Sequence, residues 1–276
     1  MSYKTIVVHV DSSSHADARM HHAARLAATF DAHLVGSAFS GLSRYAGSEV
    51  SIDLAIMAPQ EYALIGQRNE AALARFEAIA AGEGVSSVER RLMEDDPAGG
   101  LALQARYADL VVVSQTDLDE PASSHLIGGL PEQVVLDGGR PVLILPYAGQ
   151  FARIGSKVLV AWDGSLEATH AVYNALPLLR SAALVSVVEF NRGVARGREP
   201  GADLALYLAR QGVRCAVSCA VEPIRDGESL LSQAADLQAD LIVMGGYGHS
   251  RFREIMLGGV TETVLASMTV PVLMSH

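Results

Sequence analysis

The most unusual run in this 276-residue chain is Gly245-Gly246-Tyr247-Gly248-His249-Ser250, joined by residues 251–257 to Gly258-Gly259-Val260-Thr261. A strand-like apolar stretch, residues 241–244, leads into it. Glycine at Gly245 lets a chain leave a buried strand at a sharp angle, and at Gly248 it permits a positive φ and close backbone approach. Gly258 and Gly259 stand where a last helix should open, and the first amides of a helix lack internal partners. Exposed amides and the positive helix end together make a phosphate cradle. Asp163, followed by Gly164, ends another strand-like run and offers a carboxylate to a ribose hydroxyl or a base amine. The candidate binding set is therefore Asp163, Gly164, Gly245, Gly248, His249, Gly258, Gly259 and Val260, with the backbone as main actor and His249 as a helper.

Two familiar phosphate loops are excluded. No G-x-x-x-x-G-K-[ST] string occurs, and the run from Gly246 fails G-x-G-x-x-G at Arg251. Other residues invite chemistry with less support. His15, His21 and His22 lack a metal-ligand pattern and read as exposed helix histidines. Trp162 alternates away from Asp163 and reads as core packing, while Arg251 and Arg253 read as solvated. Cys215 and Cys219, the only two cysteines, would lie about 13 Å apart on one face of a strand, too far for a disulfide. They read as small buried residues of a reducing compartment. No nucleophile–base pair and no metal-ligand cluster stands out, so neither catalytic nor metal residues are assigned.

The elements that must position these residues follow from an internal repeat. Residues 4–12 match 157–165 with one residue fewer in the second copy, and Ala108-Asp109-Leu110-Val111 matches Ala239-Asp240-Leu241-Ile242. Residues 127–132 match 257–262, and 141–144 match 271–274. Four blocks in the same order predict two tandem domains, residues 1–148 and 154–276. In each copy the apolar period alternates between strand and helix. Strands are predicted at 5–10, 34–39, 88–93 and 110–113, and again at 158–161, 184–190, 216–221 and 241–244. A final strand follows Pro141 and Pro271. Helices are predicted between them, the longest over 60–81 and its shorter counterpart over 202–210, with hydroxyl N-caps from Ser12-Ser13-Ser14 and Ser165. Such βα alternation forces parallel pairing through right-handed crossovers. The expected fold is α/β: two tandem, doubly wound, parallel five-stranded sheets related by a pseudo-two-fold. Ligands of such sheets sit at the carboxyl ends of strands where the winding reverses, which places Asp163 and Gly245 together.

Composition narrows the partners. Half of the residues are hydrophobic, 19% are charged and mean hydropathy is +0.24, which excludes a disordered chain. The apolar runs are strand-sized, short of the ~20 residues of a spanning helix, and the start carries no secretory signal pattern. A cytoplasmic protein is expected. A formal net charge of −10 argues against nucleic acid or an anionic membrane as partner.

The glycine spacing, the strand-end aspartate and the tandem repeat together resemble the universal stress protein family. Its nucleotide motif, Gly-x2-Gly-x9-Gly-[Ser/Thr], is matched by Gly245, Gly248 and Gly258, with Gly259 in place of the hydroxyl residue. Val260-Thr261-Glu262 follows as in the family. The resemblance implies an adenine nucleotide alpha hydrolase-like fold and an adenine nucleotide ligand such as ATP, with or without Mg2+. It also implies a regulatory or sensing role with at most slow hydrolysis, and an intrachain pseudo-dimer open to homodimerisation. The first half departs: Ser114-Gln115-Thr116-Asp117 replaces the glycine turn, the spacing to Gly128 is one residue longer, and Asp117, Asp119 and Glu120 bring like charge to the phosphate position. Nucleotide is therefore expected only in the second half. The alternative is a degenerate module that binds no nucleotide and acts through protein contacts or another small ligand. An adenylyl-transferring enzyme would need a His-rich phosphate signature, which is not found.

Overall fold

The structure, a computed structural model, describes residues 2–41, 59–117, 119, 129–149, 151–189, 200–218, 226–248 and 259–276. It divides into two compact units, Ser2–Val142 and Leu143–His276. In the first half the order is β1 (Thr5–His9), α1 (Ala16–Phe30), β2 (His33–Phe39), α2 (Pro59–Gly82), β3 (Val88–Met93), α3 (Pro97–Ala105), β4 (Leu110–Ser114), α4 (Leu130–Gly138) and β5 (Val142–Leu145). The second half follows as β6 (Lys157–Trp162), α5 (Leu166–Ser181), β7 (Leu184–Glu189), α6 (Pro200–Arg210), β8 (Cys215–Ser218), α7 (Gly227–Asp236), β9 (Leu241–Gly245), α8 (Val260–Ser267) and β10 (Val272–Ser275). No described helix is long and apolar enough to cross a membrane.

The strands of the first half lie in the order β3-β2-β1-β4-β5, and those of the second as β8-β7-β6-β9-β10. Val8 stands opposite Gly36 and Val112, and Val160 opposite Val187 and Val243, in parallel register. The chain winds outward one way from β1 or β6, then crosses back to β4 or β9. The carboxyl ends of β1/β4 and β6/β9 are therefore the reversal points expected from the sequence.

The apolar runs form these strands because helices cover the sheets. Ile6, Val8, Val111 and Val112 are fully buried, as are Leu159, Val160, Ile242 and Val243. Each such side chain contributes roughly 1.5–3 kcal/mol by leaving water. The edge strand β3, Val-Glu-Arg-Arg-Leu-Met, instead alternates exposed and half-buried residues, the charged edge that discourages further pairing.

The repeated Ala-Asp blocks clamp the strand starts. Asp109 accepts from the amides of Lys4 (2.7 Å) and Thr5 (3.0 Å). Asp240 accepts from the amides of Gly155 (3.0 Å), Ser156 (3.1 Å) and Lys157 (3.0 Å). Each carboxylate ties the start of the first strand to the start of the fourth. One local expectation fails: the serines after Asp11 do not cap α1. His15 is its N-cap residue, without a side-chain capping bond, because Asp11 Oδ1 engages the amide (3.1 Å) and hydroxyl (2.6 Å) of Ser13 in a turn of their own. Ser165 does cap α5, accepting from the Ala168 amide at 3.1 Å.

Asp240→Ala strands the amides at the start of β6 and should lower unfolding free energy by about 1–3 kcal/mol in urea titration. An unchanged midpoint would show that the clamp contributes nothing.

Candidate functional site

In the second half, Asp163 leaves the end of β6 exposed to solvent. Its Oδ1 accepts from the Ser165 amide at 2.9 Å, and Gly164 between them holds φ +76° with open space at its Cβ position. This turn sets the start of α5 directly behind the carboxylate. Across from it, β9 ends at Gly245, pressed on that helix start. A Cβ there would lie 2.5 Å from the Ala168 nitrogen and 2.7 Å from the Glu167 carbonyl carbon. Glycine is needed at Gly245 for close backbone approach. The strand-to-helix crossing of the sheet thereby brings Gly245 and Gly248 against the first turn of α5, which follows Asp163 and Gly164 in the chain.

The left-handed conformation expected at Gly248 falls on its neighbour instead: Tyr247 has φ +61°, and Gly248 is not among the positive-φ residues. Gly248 serves by lacking a side chain, since its Cβ would lie 2.6 Å from Glu167 Oε2. Two loop amides are committed inside the protein, Gly246 N–H to the Ser275 carbonyl at 2.9 Å and Tyr247 N–H to Thr261 Oγ1 at 3.4 Å. Gly259 is the N-cap residue of α8 and Val260 its first residue. Gly259 brings no side chain to the first amides of α8, which lie beyond intrahelical acceptors. His249 and Gly258 lie outside the described residues, as do Glu120, Gly128, Cys219, Arg251, Arg253 and most of the 40–59 connection.

Glu167 is the site residue that sequence reasoning missed. It stands in the first turn of α5, where a carboxylate favours the helix dipole, yet its oxygen faces Gly248. The signal was present as an acid four residues after Asp163, but only the approach of β9 to α5 shows which way it reaches.

The first half puts a cation where the second, among the described residues, has none. Arg19 is 2% exposed. Its Nε donates to the His9 carbonyl (2.8 Å), Nη1 to Ser114 Oγ (2.7 Å) and Nη2 to Asp11 Oδ1 (2.8 Å). Ser114 holds the place of Gly245, so the guanidinium joins the two strand ends directly. Asp117 is paired as well, with His15 Nε2 at 2.9 Å. Eight residues after Asp163, where Arg19 follows Asp11, stands buried Ala171. Among the described residues no cation pairs with Asp163. Burial alone would raise the Asp11 carboxyl, but Arg19, His9 and the Ser13 bonds outweigh it and hold it well below the usual carboxylate range. Burial pushes His9 down to about 4, with Asp11 opposing and Arg19 adding.

The first-helix histidines are not simply exposed. His22 is buried, and burial first, then Arg25 and His21, push it down to about 4 against Glu83. His21 Nδ1 lies 2.7 Å from Glu83 Oε1. Trp162 is half-buried at the wall of a cleft rather than in the core. Cys215 is half-buried, with its thiol raised by burial. Among the described residues no group of three or more His, Cys, Asp or Glu side chains could hold a metal ion.

Known proteins place this geometry in a family. The universal stress protein family model matches residues 2–146 and again 156–276. Universal stress protein Slr1230 of Synechocystis is 29% identical over 159 residues, 55% of this chain and 52% of that protein. The alignment thus spans about half the length of that curated relative. A universal stress protein structure from Archaeoglobus fulgidus DSM 4304 superposes over 98% of this chain and 95% of its own, with TM-score 0.77 and 16% identity. The structure of protein PA1789 from Pseudomonas aeruginosa PAO1 covers 99% of this chain and 92% of its own, with TM-score 0.58 and 17% identity. These likenesses give the adenine nucleotide alpha hydrolase-like fold in tandem.

Two measurements check this geometry. Gly245→Ala drives a methyl group into backbone and should cost about 1–3 kcal/mol of stability. Gly248→Ala meets only the mobile end of Glu167 and should stay within about 0.5 kcal/mol. Equal effects in denaturant titration would contradict the packing. The second concerns pH. His9 and His22 stay neutral when folded but take up protons near 6.5 when unfolded, so stability is lost as pH falls from about 6.5 to about 4. The depressed Asp11 loses its contribution only at lower pH, below the ordinary carboxylate value. His9→Gln with His22→Gln should flatten the slope between pH 6.5 and 4; an unchanged slope would place the protons elsewhere.

Proposed function

The chain belongs to the universal stress protein family, and on that premise we propose that its second half binds an adenine nucleotide of the ATP kind while its first half does not. The binding set is Asp163, Gly164, Gly245, Gly248, His249, Gly258, Gly259 and Val260. The observation that carries the reading is the contrast at the strand ends. Asp163 has no cation among its described partners, whereas the equivalent Asp11 is held by buried Arg19. A carboxylate left open at a strand end is free to take ribose hydroxyls. The ligand class follows from the family resemblance of the Gly245, Gly248 and Gly258 spacing.

In this reading the backbone does the work. Asp163 orients the sugar, Gly164 keeps its approach clear, and the Gly248 amide with those of Gly259 and Val260 receives phosphate. His249 adds a donor. Glu167 beside Gly248 is an acid next to the phosphates, so Mg2+ between them would relieve repulsion that bare nucleotide suffers. The proposed role is sensing of nucleotide in the cytoplasm, by occupancy rather than turnover. Glu167, and Gly259 where the family motif has a hydroxyl, favour the second reading, a degenerate module without nucleotide.

Thermal unfolding with and without millimolar Mg-ATP separates the two. The first reading expects stabilisation that grows with concentration, about 2.7 kcal/mol at a hundredfold excess over Kd. It also expects adenine nucleotide in the supernatant of denatured, freshly purified protein. Gly248→Val should leave the melting temperature without ligand nearly unchanged, because the Glu167 carboxylate can swing aside, and should abolish the ATP shift. No shift and no released nucleotide would leave the second reading standing.

A further inference from the structure

A second cavity in the C-terminal half lies between α5 and α6, with Gly164 at its edge. In the first half α2 packs along α1, with Arg75 and Asp17 paired at 3.6 Å across them. Helix α6 has 11 residues against the 24 of α2, and a cleft of about 480 Å³ opens beside it.

Its walls are chemically biased. Trp162, Tyr173 and Tyr207 line it together with the aliphatic Val172 and Leu204. The chain has one Trp in all, so its single indole is spent here. The two tyrosines keep 45% and 36% of their surface open, and none of the three rings forms a stacked or edge-on pair with another described ring. Asp203 is the one acidic residue among the described lining residues, and no Lys or Arg is among them. The same indole also carries a buried Nε1–H with no acceptor among the described residues. Aromatic faces attract cations through their quadrupole, a lone carboxylate adds a full charge, and the chain's net charge of −10 draws cations from a distance.

We propose that this cleft is a binding site for a small organic ammonium ion. The ammonium group lies among Trp162, Tyr173 and Tyr207 with Asp203 as counter-ion. The cleft borders the Asp163–Gly248 region at Gly164, and the ammonium ion is recognised without nucleotide.

Because Trp162 is the chain's only tryptophan, its emission reports on the cleft directly. The experiment titrates the full chain with choline chloride at constant ionic strength against NaCl. Parallel titrations use 3,3-dimethylbutan-1-ol, choline's uncharged isostere, and adenosine. Choline should change the Trp162 emission saturably, and the isostere should bind at least roughly tenfold more weakly. Asp203→Asn, at an exposed position, should weaken choline by about the same factor without changing the melting temperature, and Asp203→Glu should restore most of it. Equal binding of choline and its isostere would overturn the proposal by making the cleft merely apolar. A saturable change with adenosine tighter than with choline would overturn it by making the cleft a base pocket. No saturable change with choline, or choline affinity unaltered in Asp203→Asn, would overturn it outright.

Discussion

A carboxylate at the end of a buried strand has to be answered, and each half of this chain answers its own differently. Asp11 meets the fully buried Arg19, which also binds the His9 carbonyl and the Ser114 hydroxyl. Removing one partner of such a pair leaves an uncompensated buried charge, worth about 3–5 kcal/mol. The first half is thus committed to structure at the place where α/β sheets bind ligands. Asp163 meets only the amide of its own turn among the described residues and stays in water, where an unpaired carboxylate carries no such penalty. Arg19 and Ala171 stand at the same distance from the two strand-end aspartates, and the first closes its strand end where the second leaves no cation.

The open site depends on backbone contact more than on side chains. Gly245 fits only because it has no Cβ against Ala168 and Glu167, so the end of β9 and the start of α5 act as one surface. Asp240 ties the opposite ends of β6 and β9 through three amides. The two strands that frame the candidate site are thereby held at both ends.

Much of this was legible in the residues. The alternation of apolar periods and the four repeated blocks led to parallel, doubly wound sheets because crossovers of this kind allow few alternatives. Contacts that join distant elements were not legible. Arg19 reads as one more polar residue on an amphipathic helix until β4 arrives beside it. Glu167 reads as a first-turn acid until β9 presses Gly248 against it. The positive φ fell on Tyr247, one residue before Gly248. Trp162 was read as core because strand alternation takes no account of helix length, and the shorter α6 leaves its ring at a cleft.

The difference between the two strand ends is tested most directly by binding stoichiometry. Equilibrium titration of Mg-ATP into the purified full chain should give one nucleotide per chain, abolished by Asp163→Ala and untouched by Asp117→Ala at the first-half loop. Two nucleotides per chain, or one that survives Asp163→Ala, would contradict the assignment of the open carboxylate as the binding site.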